Sequence, residues 1–179
     1  MIGSGSPTGI AAWSSAFPAG SKTVNAVFWD QVYGHNISPG HAIVAAGHAI
    51  NDSIIWASNG GVGYGANPGG LESWATFNSG QTTYMIVDMV NSRVWGTLDF
   101  TTYYGNGGAS PNPATNTNGL DFSGITGGVP GISPGIYLVS DKYGAGTWNA
   151  GRTPDTSTLP VGFRWLDPFA SLRSRIMMA

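Results

Sequence analysis

Short runs that alternate between two faces, separated by Gly, Pro, Asn and Ser, set the pattern of this chain. The clearest run is Thr83-Tyr84-Met85-Ile86-Val87-Asp88-Met89-Val90. Met85, Val87 and Met89 fall on one face and Tyr84, Ile86, Asp88 and Val90 on the other, because side chains alternate with a period of two along a strand. Both faces are largely apolar, which predicts a central strand or one whose outer face is covered. Asn91-Ser92 separates this run from Arg93-Val94-Trp95-Gly96-Thr97-Leu98, the second arm of a hairpin. Asn91 tolerates the left-handed backbone that a tight turn can require. Further strands are expected from Lys22 to Trp29, Ser53 to Ala57, Gly135 to Ser140 and Val161 to Leu166, with the hairpin arms running from Thr82 to Val90 and from Arg93 to Phe100. The stretch His41 to Ala46 fits a helix and a strand equally well, since alanine favours the first and Ile43-Val44 the second. The echo of Gly40-His41-Ala42-Ile43 in Gly47-His48-Ala49-Ile50 is too short to define a repeat architecture.

Three Gly-rich stretches interrupt the strands: Gly60 to Gly65, Asn67 to Gly70, and Tyr104 to Gly119. They read as surface excursions, where neutral polar groups and aromatic rings can form a recognition surface or merely turn the chain. The sequence holds 28 Gly and 11 Pro in 179 residues, mostly between β-prone runs, which favours many short strands over helices. The pattern predicts an all-β fold, an antiparallel sandwich of two sheets.

Composition narrows the classes of function. Apolar residues make up 41%, with seven each of Trp, Tyr and Phe, so the chain has the material for a real core. Charged residues are only 9%, against roughly 25% for an ordinary soluble domain. Surface polarity must come from amides and hydroxyls. A net charge of -2 without a basic run argues against nucleic acid as a partner, because phosphate recognition rests on clustered Lys and Arg. With no Cys, disulfides, thiolate nucleophiles and Cys-based metal sites are excluded. No apolar run approaches 18 residues, so no membrane insertion is expected, and the start of the chain has no export-signal pattern.

The chemistry-bearing residues are sparse. His35, His41 and His48 lack metal-ligand spacing, so no metal is expected. Glycoside hydrolysis needs two carboxyl groups across a cleft. Glu72 is the sole Glu and the eight Asp are dispersed, leaving Glu72 and Asp88 as arbitrary candidates. No nucleophile elbow or phosphate loop occurs. No cofactor and no catalytic residue is therefore expected. Trp56, Tyr64, Trp74, Trp95, Tyr103, Tyr104 and Trp148 are more suggestive, since aromatic faces beside neutral amides suit sugar recognition, although aromatics equally fill cores. Tyr64, Trp74, Tyr103 and Tyr104 are the candidate ligand contacts.

The hairpin from Tyr84 to Gly96, with Trp95 in its second arm, resembles the central strands of SPRY-like domains of phage and bacterial surface proteins. Asn112-Pro113-Ala114-Thr115-Asn116-Thr117-Asn118-Gly119-Leu120-Asp121-Phe122 resembles their long Asn/Gly/Thr-rich loop, and Gly135 to Val139 their late core strand. Trp148 to Pro154 and Leu159 to Arg164 resemble the closing strand and its Pro-x-Gly-Phe-basic terminus. The likeness spans roughly residues 53 to 166 and departs over 1–52 and at Asp155. It implies a concanavalin-like jelly roll of two antiparallel sheets that recognises partners through loops and one sheet.

The expected function is that of a virion surface or attachment protein, as capsid decoration, spike or tail-fibre component, that recognises or covers a surface without catalysis. Other virion proteins or copies of itself are the expected partners, with host surface polysaccharide as a ligand. The alternatives are a non-catalytic carbohydrate-binding module at an extracellular or cell-surface location, and a glycoside hydrolase. The expected organisation is an N-terminal arm over 1–21, a recognition domain over 22–166 and a docking segment over 167–179. Asp167-Pro168 stops the last strand. Beyond it, Phe169, Leu172, Ile176 and Met177 form an apolar helical stripe suited to a partner or another copy, with Arg173 and Arg175 beside it.

Overall fold

Twelve strands are formed by the described part of the chain. The computed structural model describes residues 20–32, 43–49, 52–64, 71–108, 110–123, 135–139, 144–148 and 156–165. The strands are β1 (Lys22–Val32), β2 (Ile43–Ala49), β3 (Asp52–Ala57), β4 (Gly61–Tyr64), β5 (Glu72–Ser73), β6 (Thr82–Asp88), β7 (Arg93–Thr97), β8 (Tyr103–Tyr104), β9 (Leu120–Asp121), β10 (Gly135–Val139), β11 (Gly144–Trp148) and β12 (Arg164–Trp165). Single 3-10 turns occur at Pro113–Thr115 and Thr156–Thr158, and no α-helix occurs among the described residues. The described residues are all-β, as the alternating runs and Gly/Pro punctuation predict.

The strands form two sheets. One has the order β11-β1-β6-β7-β8, with β12 added to β1 and β9 to β7, and the other has the order β10-β2-β3-β4-β5. Every pairing is antiparallel except β1 with β12. From Ile43 on, the stretch that fits helix and strand alike is β2, where Val44 pairs with Trp56 of β3. The Gly-rich stretch starting at Gly60 is not simply an excursion: Gly61–Tyr64 is β4, paired with both β3 and β5.

The alternation in β6 sorts its side chains between two cores. Met85 and Val87 join Trp29, Trp56, Val62 and Phe77 in a cluster fed by both sheets. Ile86, on the opposite face, joins Val24, Trp95 and Phe163 in a second cluster. The second cluster is the covered outer face that the apolar residues on both sides of β6 call for. Segment 156–165 supplies the cover, since Leu159 and Phe163 pack there. Burying each large apolar side chain in this way contributes about 1.5–3 kcal/mol.

The β6–β7 connection is a four-residue turn closed by the pair Asp88 and Arg93. Ser92, at φ 54°, takes the left-handed conformation. Asn91, expected to do so, instead donates its side-chain amide to Asp88 Oδ2 at 2.8 Å. The arm 1–21 up to residue 19, the stretch Asn67 to Gly70, His35 and His41, and the docking segment with Phe169, Leu172, Ile176 and Met177 lie outside the described residues.

Candidate recognition surface

Residues 105–119 leave β8 and return through β9, which pairs with β7 at Arg93 and Val94. Asn, Gly, Thr and Pro dominate this stretch, so its shape must come from local side-chain caps and from anchors to the body. Asn112 Oδ1 accepts from Ala114 N at 2.9 Å and caps the 3-10 turn, with Pro113 in its first position. Asn112 and Thr117 exchange two backbone bonds, at 3.0 and 2.9 Å. Asn116 and Asn118 close the turns in left-handed conformations, φ 56° and 49°, a role that Asn tolerates well.

Two indoles tie the loop to the sheets. Trp74 Nε1 donates to Gly105 O at 2.9 Å, and Trp95 Nε1 donates to Thr117 O at 2.9 Å. Gly105 packs so closely on the Asn118 carbonyl that a Cβ there would overlap it, and Gly119 lies flat on the Trp95 ring. The Glu72 carboxylate rests against Gly107. Above these anchors, Asn106, Gly107, Gly108, Ser110, Asn112 and Ala114 to Asn118 are exposed. The result is a fixed display of amides and hydroxyls with little formal charge.

Of the candidate aromatic contacts, Trp74, Tyr103 and Tyr104 do not gather on this surface. Trp74 is 6% exposed, in the core between the sheets, with its ring edge-on to Trp56 at 5.3 Å. Tyr103 and Tyr104 are successive residues of β8 and face opposite ways: Tyr104 packs on the core between the sheets and Tyr103 on the outer cluster. Burial, with the nearby Asp99 charge, raises the Tyr103 phenol pKa. Tyr64 ends β4, and its side chain lies outside the described residues. Trp56 and Trp95 are fully buried.

Asp88, Asp99 and Asp121 are engaged in structure. The fully buried Asp88 carboxylate faces Lys22 Nζ at 2.9 Å and accepts from Val90 N at 2.8 Å, Asn91 N at 3.1 Å and the Asn91 side chain. Burial pushes its pKa up, but the bonds from Asn91, Lys22 and Val90 outweigh it and the net shift is down. Asp99 is held down by the Thr102 amide foremost, against a smaller effect of burial, and with Thr97 it winds the β7–β8 loop. Asp121 is lowered to about 2 by hydrogen bonding from Ser123 and by its ion pair with Arg93. No cluster of potential metal ligands occurs among the described residues.

Sequence reasoning marked the 104–119 stretch as a surface but missed what makes it rigid. The signal was the coincidence of Trp74 and Trp95 with a loop rich in carbonyls, because a buried indole N–H needs an acceptor. A row of half-buried rings on the outer face, Tyr84, Phe100, Tyr103 and Trp165, was also missed. No protein-family model and no curated protein matches this chain.

Proposed function

We propose that this chain is a non-catalytic recognition module of the concanavalin-like, SPRY-like sandwich type, displayed on a virion surface. There it contacts host surface polysaccharide, or covers the particle, through loop 105–119. The observation that carries this reading is the fixing of an exposed, neutral, amide-rich loop by the Trp74 and Trp95 indoles. A loop already held in one shape loses less conformational freedom on binding, so more of its contact energy appears as affinity. Neutral amides and hydroxyls match sugar hydroxyls in hydrogen-bonding character. The commitment of Asp88 to Lys22 and turn amides supports recognition without turnover, since that carboxylate is already occupied. Low charge and the absence of Cys suit a densely packed particle surface.

The test is titration of the full chain and its Thr115→Ala and Asn106→Ala variants against surface polysaccharides, with analysis of products. The reading expects binding that weakens in the variants while their unfolding midpoints stay near the parent's, with the polysaccharide recovered intact. Reproducible cleavage would replace it with a glycoside hydrolase.

A further inference from the structure

The chain holds three Asn-Gly pairs, Asn59-Gly60, Asn106-Gly107 and Asn118-Gly119. An Asn followed by Gly is prone to deamidation, because no Cβ on the second residue obstructs ring closure between its backbone nitrogen and the Asn side chain. The fold treats the three pairs differently. Gly60 is buried, its N–H donates to Ala57 O at 2.8 Å, and Asn59 Oδ1 accepts from Gly61 N at 2.9 Å. Nucleophile and acceptor carbonyl are thus both held elsewhere. Gly119 is buried against the Trp95 ring, and Asn118, at φ 49°, accepts on its backbone carbonyl from Asn106 N at 2.8 Å. Closing a ring there would lift Gly119 off the indole. Asn106 and Gly107, by contrast, are both exposed. Gly108 N donates to Asn106 O, which makes Gly107 the centre of a tight turn whose closing bond does not use the central N–H. Among the described residues, neither Gly107 N nor the Asn106 side-chain amide has a hydrogen-bond partner.

We propose that Asn106 is the preferred deamidation site of the folded chain, where a neutral loop acquires a negative charge with age. Gly107 N gives its proton to hydroxide and attacks Asn106 Cγ, a ring closure that needs these atoms free to approach. The N–Cγ bond forms and the Cγ–Nδ2 bond breaks. The leaving nitrogen takes a proton from water and departs as ammonia, which regenerates the hydroxide. Water then opens the cyclic succinimide at one of its C–N bonds. Cleavage between Gly107 N and Cγ gives aspartate, and cleavage at the Asn106 carbonyl carbon gives isoaspartate, whose backbone is longer by a methylene. Nothing is oxidised or reduced. Either product bears on the anchor of the loop. A Cβ built on Gly107 lies 3.0 Å from Glu72 Oε2, so the new carboxylate arises beside an existing one, and like charges at close range repel. Isoaspartate also shifts Gly107 relative to Gly105, which the Trp74 indole holds. Deamidation therefore loosens the loop at its Trp74 end and leaves the Trp95 end in place.

The test is incubation of the full chain at mildly alkaline pH, under conditions where circular dichroism shows the sheets retained. Peptide mass spectrometry, with fragmentation that separates aspartate from isoaspartate, follows the three Asn-Gly pairs. The proposal expects Asn106 to convert several-fold faster than Asn59 and Asn118. In the urea-unfolded chain the three should convert at similar rates, since each is followed by Gly. Conversion of Asn59 or Asn118 as fast as Asn106 in the folded chain would overturn the proposal, as would a folded Asn106 that does not convert. An Asn106 preference just as large in urea would show that the fold does not select the site, and would count equally against it. In the Asn106→Gln variant, which keeps an amide but requires a larger ring, the early acidic shift on isoelectric focusing should disappear. An undiminished shift would place the reaction elsewhere and sink the proposal.

Discussion

The indole of Trp95 occupies the volume that a side chain on Gly119 would need: its Cε2 and Cζ2 lie 2.6 Å from a Cβ built there. The same ring donates its N–H to Thr117 and packs edge-on to Phe163 at 6.3 Å. One side chain therefore couples the sheet, the loop and the covering segment. Gly119→Ala should cost about 1–3 kcal/mol by overpacking, and Trp95→Ala about 3–5 kcal/mol by leaving a cavity. Urea unfolding of the full chain measures both, and a loss below about 1 kcal/mol for Trp95→Ala would be inconsistent with a fully buried ring.

Trp74→Phe keeps a ring in the core but removes the donor to Gly105. The expected loss is about 1–3 kcal/mol, the cost of an unsatisfied buried acceptor. Hydrogen exchange should speed up at Asn106, whose amide bonds to Asn118 O, with little change in β6. Equal acceleration in β6 would mean that the indole N–H supports the whole domain and not the loop.

Stability should fall on acidification below about pH 4. Asp88 and Asp121 both have folded pKa values below their ordinary ones, Asp121 at about 2. Each contributes stability that is fully present above the unfolded value of about 3.9 and is lost as pH falls through the folded value. Asp88→Asn should flatten this dependence and lower stability near neutral pH, because Lys22 loses its partner. Thermal unfolding across pH 2 to 6, taken at roughly half-unit steps, reads both effects, and an unchanged slope in Asp88→Asn would mean that Asp88 does not contribute to the acid sensitivity.

At Ser92 the left-handed backbone of φ 54° discriminates between substitutions. Ser92→Val should destabilise by about 1–2 kcal/mol, because a β-branched side chain crowds the following carbonyl there, whereas Ser92→Gly should be nearly neutral. Equal losses in both, measured by urea unfolding, would mean that the Ser92 side chain itself matters more than its backbone.

The strands that alternate strongly or carry apolar residues on both faces were legible in the sequence. Lys22, Thr82, Arg93 and Gly135 begin strands where the pattern places them. The two apolar faces of β6 called for a central strand or one with a covered outer face, and β6 lies between β1 and β7 with Phe163 packed on its outer side. Strands β4, β5, β8 and β9 were not legible, because Gly61-Val62-Gly63, Glu72-Ser73, Tyr103-Tyr104 and Leu120-Asp121 are too short or too Gly-rich to show a period, and pairing partners far along the chain define them. The loop anchors were hidden for a related reason. Nothing local distinguishes a Trp that presents its face to a ligand from one whose N–H holds a carbonyl 22 residues away, as Trp95 does. Tyr103 and Tyr104 were both candidate ligand contacts, yet adjacency in a strand separates their rings onto opposite faces.

Whether loop 105–119 is the outward, recognising surface of a virion component, as proposed, is decided by imaging the native particle at side-chain resolution. The expected result is this chain at symmetry-related positions on the exterior, with Asn106, Asn112 and Thr115 facing solvent or bound glycan and the loop shape unchanged. Finding no copy of the chain on the particle, or finding loop 105–119 buried against a neighbouring subunit, would contradict it.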